Sequence, residues 1–459
     1  MESKIPNLVT PSFLELRERK SLEHSPDWLG IVRSWSKEGP VAFLESAGPV
    51  NESSRWIILA GEAQSEYYER SGKTWVDGQE SVFGLSRFLQ EIGKPETPFL
   101  PPPFCFAGVW FGVLGYEAGS KPKLYQKNGM AEENRTSLPA FYFFKPKRLL
   151  AFDRMTKDLF TFGERVPEKV AGQPIKNFQV GPLEPQISPA VYQDMVMKAK
   201  EYISSGDIYQ ANLAQSFKSS WEGDPVGLYG ALREINPGPF MGYFRGRGFT
   251  VVSSSPERLV SGQGDRLETK PIAGTRKRGS DETQDLQMIW ELKTNPKEQA
   301  EHLMLVDLAR NDLGRVARFG TVEVKGFTEV ESYAKVHHLV STVRAYRREG
   351  MTTAEVIEAL FPGGTITGCP KIRCMEIIRE LEGKPRGYYT GSMGYVGPGP
   401  CFDLNILIRT FTLSDEGWLE FFAGAGIVAD SDPQREYLET LYKVEALAQA
   451  LGTSLLSGL

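Results

Sequence analysis

Four glutamates give this sequence its first chemistry. Glu298 and Glu301 follow Asn295-Pro296, and Glu436 and Glu439 follow Asp432-Pro433. In both places a capping side chain precedes a proline suited to the first helical position, so each glutamate pair, spaced three apart, falls on one face near a helix start. Two carboxylate pairs on two helices form an oxygen-only ligand set. Such a set suits a hard cation, and an incompletely filled octahedral Mg²⁺ site leaves room for water or a ligand carboxylate. First-turn glutamates also complement a helix dipole with no metal present, and either pair alone favours that plainer reading. It is the occurrence of two such starts that points to Mg²⁺. The four cysteines, Cys105, Cys369, Cys374 and Cys401, and the four histidines, His24, His302, His337 and His338, lack zinc or disulfide spacing, so a metal here must use oxygen.

A second group of residues suits anions. In the apolar run from Leu404 to Phe411, period-2 alternation predicts a strand with Arg409 on the side of Asn405 and Leu407. The planar guanidinium fits a carboxylate there, with a structural ion pair as an equal alternative. Lys443 lies one turn beyond Glu439 and, taken alone, reads as a solvated helix residue. The strand predicted from Phe421 to Val428 carries Gly424-Ala425-Gly426, small enough to let a ligand approach backbone N–H groups, or to make a tight turn. The segment from Pro362 through Thr365 to Lys371 enters a helix with a cation in its first turn, against the dipole, which hints at a bound anion unless Lys371 is exposed. Finally, Pro271 to Gly279 sets Gly274-Thr275 beside three cations. Thr275 can donate or accept a hydrogen bond, and an exposed basic hairpin is the plainer reading.

The elements needed to bring these residues together are legible in outline. From Val41 to Phe162 short β-rich runs are broken by Pro and Gly, so this half reads as mostly strands, including a buried glycine-rich one from Phe104 to Tyr116. Five prolines between Arg165 and Pro189 predict a connection without regular structure. The boundary placed there divides the chain into an N-terminal lobe, 1–186, and a second lobe, 187–459. Ala190 to Ser204 has helical spacing, and the alternating run from Ile208 to Phe217 predicts a strand with Gln210 and Asn212 on one face. Further helices are expected from near Pro296, Thr353, Pro370 and Pro433, making the second lobe mixed α and β.

Composition narrows the function classes. With 459 residues, 53 basic against 58 acidic side chains and a net charge of −5, the chain offers no field for a nucleic acid. Met1 to Lys20 has no continuous apolar core of leader type, and the run from Phe104 to Tyr116 is too short to cross a bilayer. A cytoplasmic protein without membrane association is expected.

The ordered motifs Ser204-Ser-Gly-Asp-Ile-Tyr-Gln210, Ser255-Pro-Glu257, Pro271-Ile-Ala-Gly-Thr275, Glu301 to Asp312, Ile408-Arg-Thr410 and Ala423-Gly-Ala-Gly426 span the second lobe. Through them the chain resembles the chorismate-utilising enzymes, which include the synthase components of anthranilate and aminodeoxychorismate synthases. The resemblance implies an α+β fold of two packed antiparallel sheets flanked by helices, with two interlocked lobes. It implies Glu301 and Glu439 as direct Mg²⁺ ligands, with Glu298 and Glu436 acting through water. Tyr389, Arg409, Gly424, Gly426 and Lys443 match positions that bind chorismate, with Gly274 and Thr275 lining the ring and Gln210 and Thr365 among its binding residues. Glu257 matches a general acid that protonates the departing ring hydroxyl, and His338 an active-site histidine; Thr275 joins them as a catalytic candidate.

Gln210 stands where relatives that add water have a lysine, and an amide cannot act as that base, so the resemblance implies amination. Tyr209 to Gln215, Pro362 to Gly368 and Leu404 to Arg409 look like the aminodeoxychorismate branch, whose product, 4-amino-4-deoxychorismate, leads to p-aminobenzoate and folate. Ala273 points the other way: that branch commonly carries a nucleophilic lysine here, and alanine is typical of anthranilate synthase. A non-catalytic regulator that binds chorismate or tryptophan is the third alternative. Glu45 and Ser46, with Pro239, Phe240 and Met241, resemble parts of the family's tryptophan pocket, or pack a core. No glutaminase nucleophile is evident in the chain, so the expected partners are chorismate, ammonia and a separate glutaminase subunit in a heterodimer.

Overall fold

The computed structural model describes residues 13–94, 97–119, 138–164, 177–333 and 335–456. Within them the chain builds a large antiparallel β-structure carrying helices. Alternation drives it. The strands Val41–Glu45, Trp56–Arg70, Phe141–Asp153, Phe240–Gly246, Phe249–Ser255 and Gln210–Gly223 bury much of their length. Every pairing is antiparallel, and hydrogen bonds chain the described strands into one network of 23. Pairing alone therefore draws no line between two sheets.

The division at residue 186 is crossed by strands. Val41–Glu45 pairs with Phe240–Gly246, and Trp110–Leu114 pairs with Ser392–Gly397. Apolar clusters cross it too: one gathers Tyr67, Phe88 and Trp110 with Leu259, Val396 and Leu404. Part of the proline-rich connection, 165–176, lies outside the described residues. The rest is not free of structure, because Phe178–Val180 and Glu184–Pro185 both pair with Gln210–Gly223. The run from Phe104 also differs from expectation, since Phe104–Gly108 winds into a 3₁₀ turn before the strand Trp110–Leu114 begins.

Helix starts follow local sequence closely. Asn295 caps Pro296–Gly314 by accepting from the N–H groups of Lys297 and Glu298, and Asp432 caps Pro433–Ala450 through Arg435 N–H. The first of these helices packs on the strands Ile272–Lys277 and Val336–Tyr346, the second on Trp418–Ile427. Both thereby deliver their first turns to one end of the sheet. Among the described residues no helix is long and apolar enough to cross a membrane.

Candidate active site

Arg409 does not lie on a continuous strand. The run expected from Leu404 to Phe411 breaks: one strand ends at Asn405, the next starts at Thr410, and Arg409 sits in the gap with φ 51°. This left-handed conformation is strained for a long side chain and turns Arg409 out of the ladder. Burial lowers the pKa of its guanidinium, and among the described residues no carboxylate compensates it. A half-buried, desolvated cation with no internal carboxylate favours an anionic ligand.

Beside it the strands Ile272–Lys277 and Val336–Tyr346 pair Thr275 with His338 across a bulge at Gly274. Thr275 Oγ1 lies 3.0 Å from His338 Nδ1. Burial and then the Arg409 charge push His338 down to about 3, which favours a neutral ring able to share a hydrogen bond with Thr275. Gly274, at φ 67°, has no room for a side chain: a Cβ there would stand 2.6 Å from Glu298 Oε2. The glycine thus lets the strand Ile272–Lys277 touch the acidic helix.

Glu257 follows the strand Phe249–Ser255, with its backbone fixed by Ser255 Oγ accepting from Glu257 N–H and by Ile406 N–H donating to Glu257 O at 3.0 Å. Burial pushes its carboxyl up to about 8, only slightly opposed by the Thr365 hydroxyl. A carboxyl that keeps its proton near neutrality is equipped to act as an acid. Glu257 and Thr365 line a small cavity of about 30 Å³ with Leu308, Gly363 and Ile406.

Gly424 and Gly426 lie inside the strand Trp418–Ile427, opposite Ala214 and Asn212, not at a terminal turn. The pairing with Thr410–Ser414 stops at Phe421, which leaves their other edge open. Added Cβ atoms would stand 2.4 Å from Asn212 Oδ1 and 2.7 Å from Tyr389 Oη at Gly424, and 2.5 Å from Gln210 Nε2 at Gly426. Small residues here therefore let three polar groups pack against the strand. Tyr389 is stacked on Phe422 at 5.1 Å and 6°, with Arg386 over its other side at 5.7 Å. Asn212 Oδ1 is buried with no hydrogen-bond partner among the described residues. Alternation with Gln210 had placed Asn212 on this face, but nothing in the sequence gave it a role.

The two acidic helix starts lie close enough to sense one another's charge. Burial raises the Glu301 pKa first, Glu298 adds to it, and Glu439 adds more against the pull of Lys443. Glu436 is raised by burial, opposed by Ser431, and also senses Glu439, Lys443 and Lys297. Mutually repelling oxygen donors fit a hard divalent cation. The protein's own cations hold two of the four: Arg276 Nη1 is 2.9 Å from Glu298 Oε1, and Lys443 Nζ is 2.6 Å from Glu439 Oε1 and 3.1 Å from Gly424 O. Among the described residues no three acidic, His or Cys groups converge as a ready-made cage.

Three other expectations change. Lys371 is half-buried, and Asp312 lies 2.7 Å from its Nζ and Leu360 O 3.0 Å away, so its first-turn cation needs no ligand anion. The basic run after Thr275 is no free hairpin, because Arg276 holds Glu291 and Glu298 and Arg278 holds Asp285. Glu45 and Ser46 line a cavity of about 620 Å³ with Arg154 and Arg233, but Pro239, Phe240 and Met241 do not line it. Met241 pairs with Glu45 in the ladder instead, and Phe240 packs under Arg258 at 4.9 Å.

Residues 40–449 match the model of the chorismate binding enzyme family. The chain belongs to this family. Anthranilate synthase component 1 of Thermus thermophilus is 38% identical over 437 residues, covering 91% of this chain and 93% of that protein. Aminodeoxychorismate synthase component 1 of Bacillus subtilis is 47% identical over 264 residues, covering 58% of this chain and 54% of that one. The structure of anthranilate synthase component I from Streptococcus pneumoniae superposes with a TM-score of 0.73 at 31% identity, over 86% of this chain and 93% of that one. This member of the family is therefore a chorismate-utilising enzyme. Arg409 and Glu257 lie among the motifs that carry the resemblance, and His338 faces one of them through Thr275.

Proposed function

We propose that this chain aminates chorismate at ring carbon four, giving 4-amino-4-deoxychorismate for p-aminobenzoate and folate synthesis, with ammonia from a separate glutaminase subunit. The observation that carries the reading is Arg409, half-buried in a break between strands with no internal carboxylate, together with Glu257, a buried carboxyl whose pKa is raised to about 8. Arg409, Lys443, Tyr389 and the open edge at Gly424 and Gly426 bind the two carboxylates and the enolpyruvyl group, while Gly274 and Thr275 border the ring. His338, kept neutral, fixes the Thr275 hydroxyl.

Glu257 gives its proton to the hydroxyl at carbon four as that C–O bond breaks and its electron pair leaves with oxygen, so the group departs as water. The nitrogen lone pair forms the new bond, and the surplus proton on nitrogen returns to the carboxylate. Gln210, an amide, cannot activate water at this site, which supports amination over hydration. Glu301 and Glu439 would hold Mg²⁺ most directly, with Glu298 and Glu436 in support. The bound ion supplies positive charge to one substrate carboxylate.

Amination at carbon two, giving anthranilate, is the second reading, favoured by Ala273 and by the names of several relatives. Ala273 is 4% exposed and paired with Leu339, and the nearest upstream lysine, Lys270, is held by Glu331 at 2.8 Å. Incubating the purified chain with chorismate, Mg²⁺ and ammonium salt, and then adding the lyase that forms p-aminobenzoate, separates the readings. p-Aminobenzoate supports the first, and anthranilate replaces it with the second. The cavity at Glu45 and Ser46 is assigned to an amino acid such as tryptophan; calorimetry with tryptophan tests this, and absence of binding removes it.

A further inference from the structure

Tyr389 is carried by a stretch without helix or strand, between the helix Lys371–Glu382 and the strand Ser392–Gly397. A residue that must present a ring to substrate from such a stretch needs its backbone fixed by something else. Arg386 is the hub. It is 2% exposed, and its guanidinium binds Glu382 through 2.6 and 2.9 Å contacts, Asn212 O at 2.6 Å and Ile366 O at 3.0 Å.

The other side of this hub belongs to the N-terminal half. The Arg386 guanidinium lies 4.9 Å from the centre of the Tyr116 ring as well as 5.7 Å from that of Tyr389. Glu117 Oε1 accepts the Arg386 N–H at 2.7 Å, Glu117 Oε2 accepts the Gly387 N–H at 3.2 Å, and Tyr116 N–H donates to Gly387 O at 2.8 Å. Gly387 turns at φ 60° between them. One carboxylate thus holds two successive peptide N–H groups in a fixed orientation, and the next two residues lead to the Tyr389 ring.

We infer that Glu117 is a positioning residue for chorismate binding: it touches no substrate, but by clamping the Arg386–Gly387 turn it sets where Tyr389 stands in the site. The inference rests on the chorismate-site reading above. It gives the 3₁₀ turn Tyr116–Gly119, remote in sequence, a direct say in substrate affinity. The charged and titratable groups around the clamp are Arg386, Glu382 beyond it, Tyr116 and Tyr389. Burial pushes Glu117 up to about 7, opposed by its N–H donors and the Arg386 charge. Below that pH one oxygen carries the proton and the double acceptance fails.

The test uses full-length Glu117→Ala, Glu117→Gln, Tyr389→Phe and the Ala/Phe double variant, with chorismate binding measured calorimetrically in Mg²⁺ and turnover measured with ammonium salt. Glu117→Ala should weaken chorismate binding and raise KM about tenfold, with kcat changed no more than about threefold. Glu117→Gln, whose amide keeps one acceptor, should fall between Ala and wild type. In the Tyr389→Phe background, Glu117→Ala should cost clearly less than in wild type, since the two act on one contact. Wild-type affinity should weaken as pH falls through about 7, and the Gln variant should lose that part of the dependence. Equal binding by wild type and both Glu117 variants overturns the proposal, and so does an identical Glu117→Ala cost in both backgrounds. If Ala does not fold, the near-isosteric Gln variant decides through its pH profile. A wild-type chain that binds no chorismate overturns the site reading and this inference together.

Discussion

Arg409 lies half-buried without a carboxylate partner among the described residues, and burial raises the Glu257 carboxyl to about 8, whereas Glu298 and Glu439 each grip a cation of the protein's own. The first region is left electrically incomplete. The second is quenched by Arg276 and Lys443, which share the carboxylates that the metal reading requires. Physically, an incomplete pocket presents its groups ready to act, while a quenched one must exchange partners before it can bind. Variants in the first region should therefore damage chemistry and substrate affinity, and variants in the second should chiefly move the metal dependence.

The largest effect should come from Glu257. Glu257→Gln keeps size and polarity but has no ionisable proton, so kcat should fall by about 10³ with chorismate KM little changed. Wild-type turnover, measured with free ammonia held constant, should decline as pH rises through about 8, because the acid form is the active one and is lost above that value. A variant that retains full turnover, or a wild-type profile with no such limb, removes Glu257 as the acid.

Next comes Arg409. Lysine preserves charge but not the planar two-point fork, so Arg409→Lys should lower kcat/KM by about a hundredfold, roughly 2–3 kcal/mol. Much of that loss should appear in KM. An unchanged KM would mean that the half-buried guanidinium faces no substrate carboxylate and that the region is incomplete for another reason.

These two residues also mark how far sequence could reach. Glu257 and the glutamates at Pro296 and Pro433 were legible because their signals are local: a motif of three residues, or a cap followed by a proline and an i,i+3 pair. The course of the chain around Arg409 was not. Alternation ran unbroken from Leu404 to Phe411, and only the divergence of neighbouring strands, together with the left-handed turn at Arg409, interrupts it. Lys371 misled for a similar reason, since its partner Asp312 lies 59 residues away on another helix. Glu117 left no trace at all, because its partners, the N–H groups of Arg386 and Gly387, carry no side-chain signature. The antiparallel architecture could be read from motif order, while the strand pairing across residue 186 depended on long-range register.

In the quenched region, Glu301→Gln should weaken apparent Mg²⁺ affinity by at least about tenfold, with part of the activity recovered at high metal. Its carboxylate is buried and raised by Glu298 and Glu439, so the neutral amide relieves repulsion as well as removing a ligand. The fold should survive or gain slightly in thermal stability. Unaltered metal dependence would remove Glu301 from the ligand set and leave the acidic faces as a dipole feature.

The smallest effect is also the most discriminating. If Arg276 and a divalent cation share Glu298, then Arg276→Gln should free that carboxylate and tighten Mg²⁺ binding by about three- to fivefold, near 1 kcal/mol for a partly exposed pair. Turnover at saturating metal should change little, because the Arg276 contacts run to Glu291, Glu298 and the Thr275 carbonyl and none to Glu257 or His338. Titration of Mg²⁺ by calorimetry, without substrate, isolates the exchange from catalysis. Weaker binding would show that Arg276 builds the site by orienting Glu298, not by competing for it, and the contrast between an incomplete pocket and a quenched one would then fail at its acidic end.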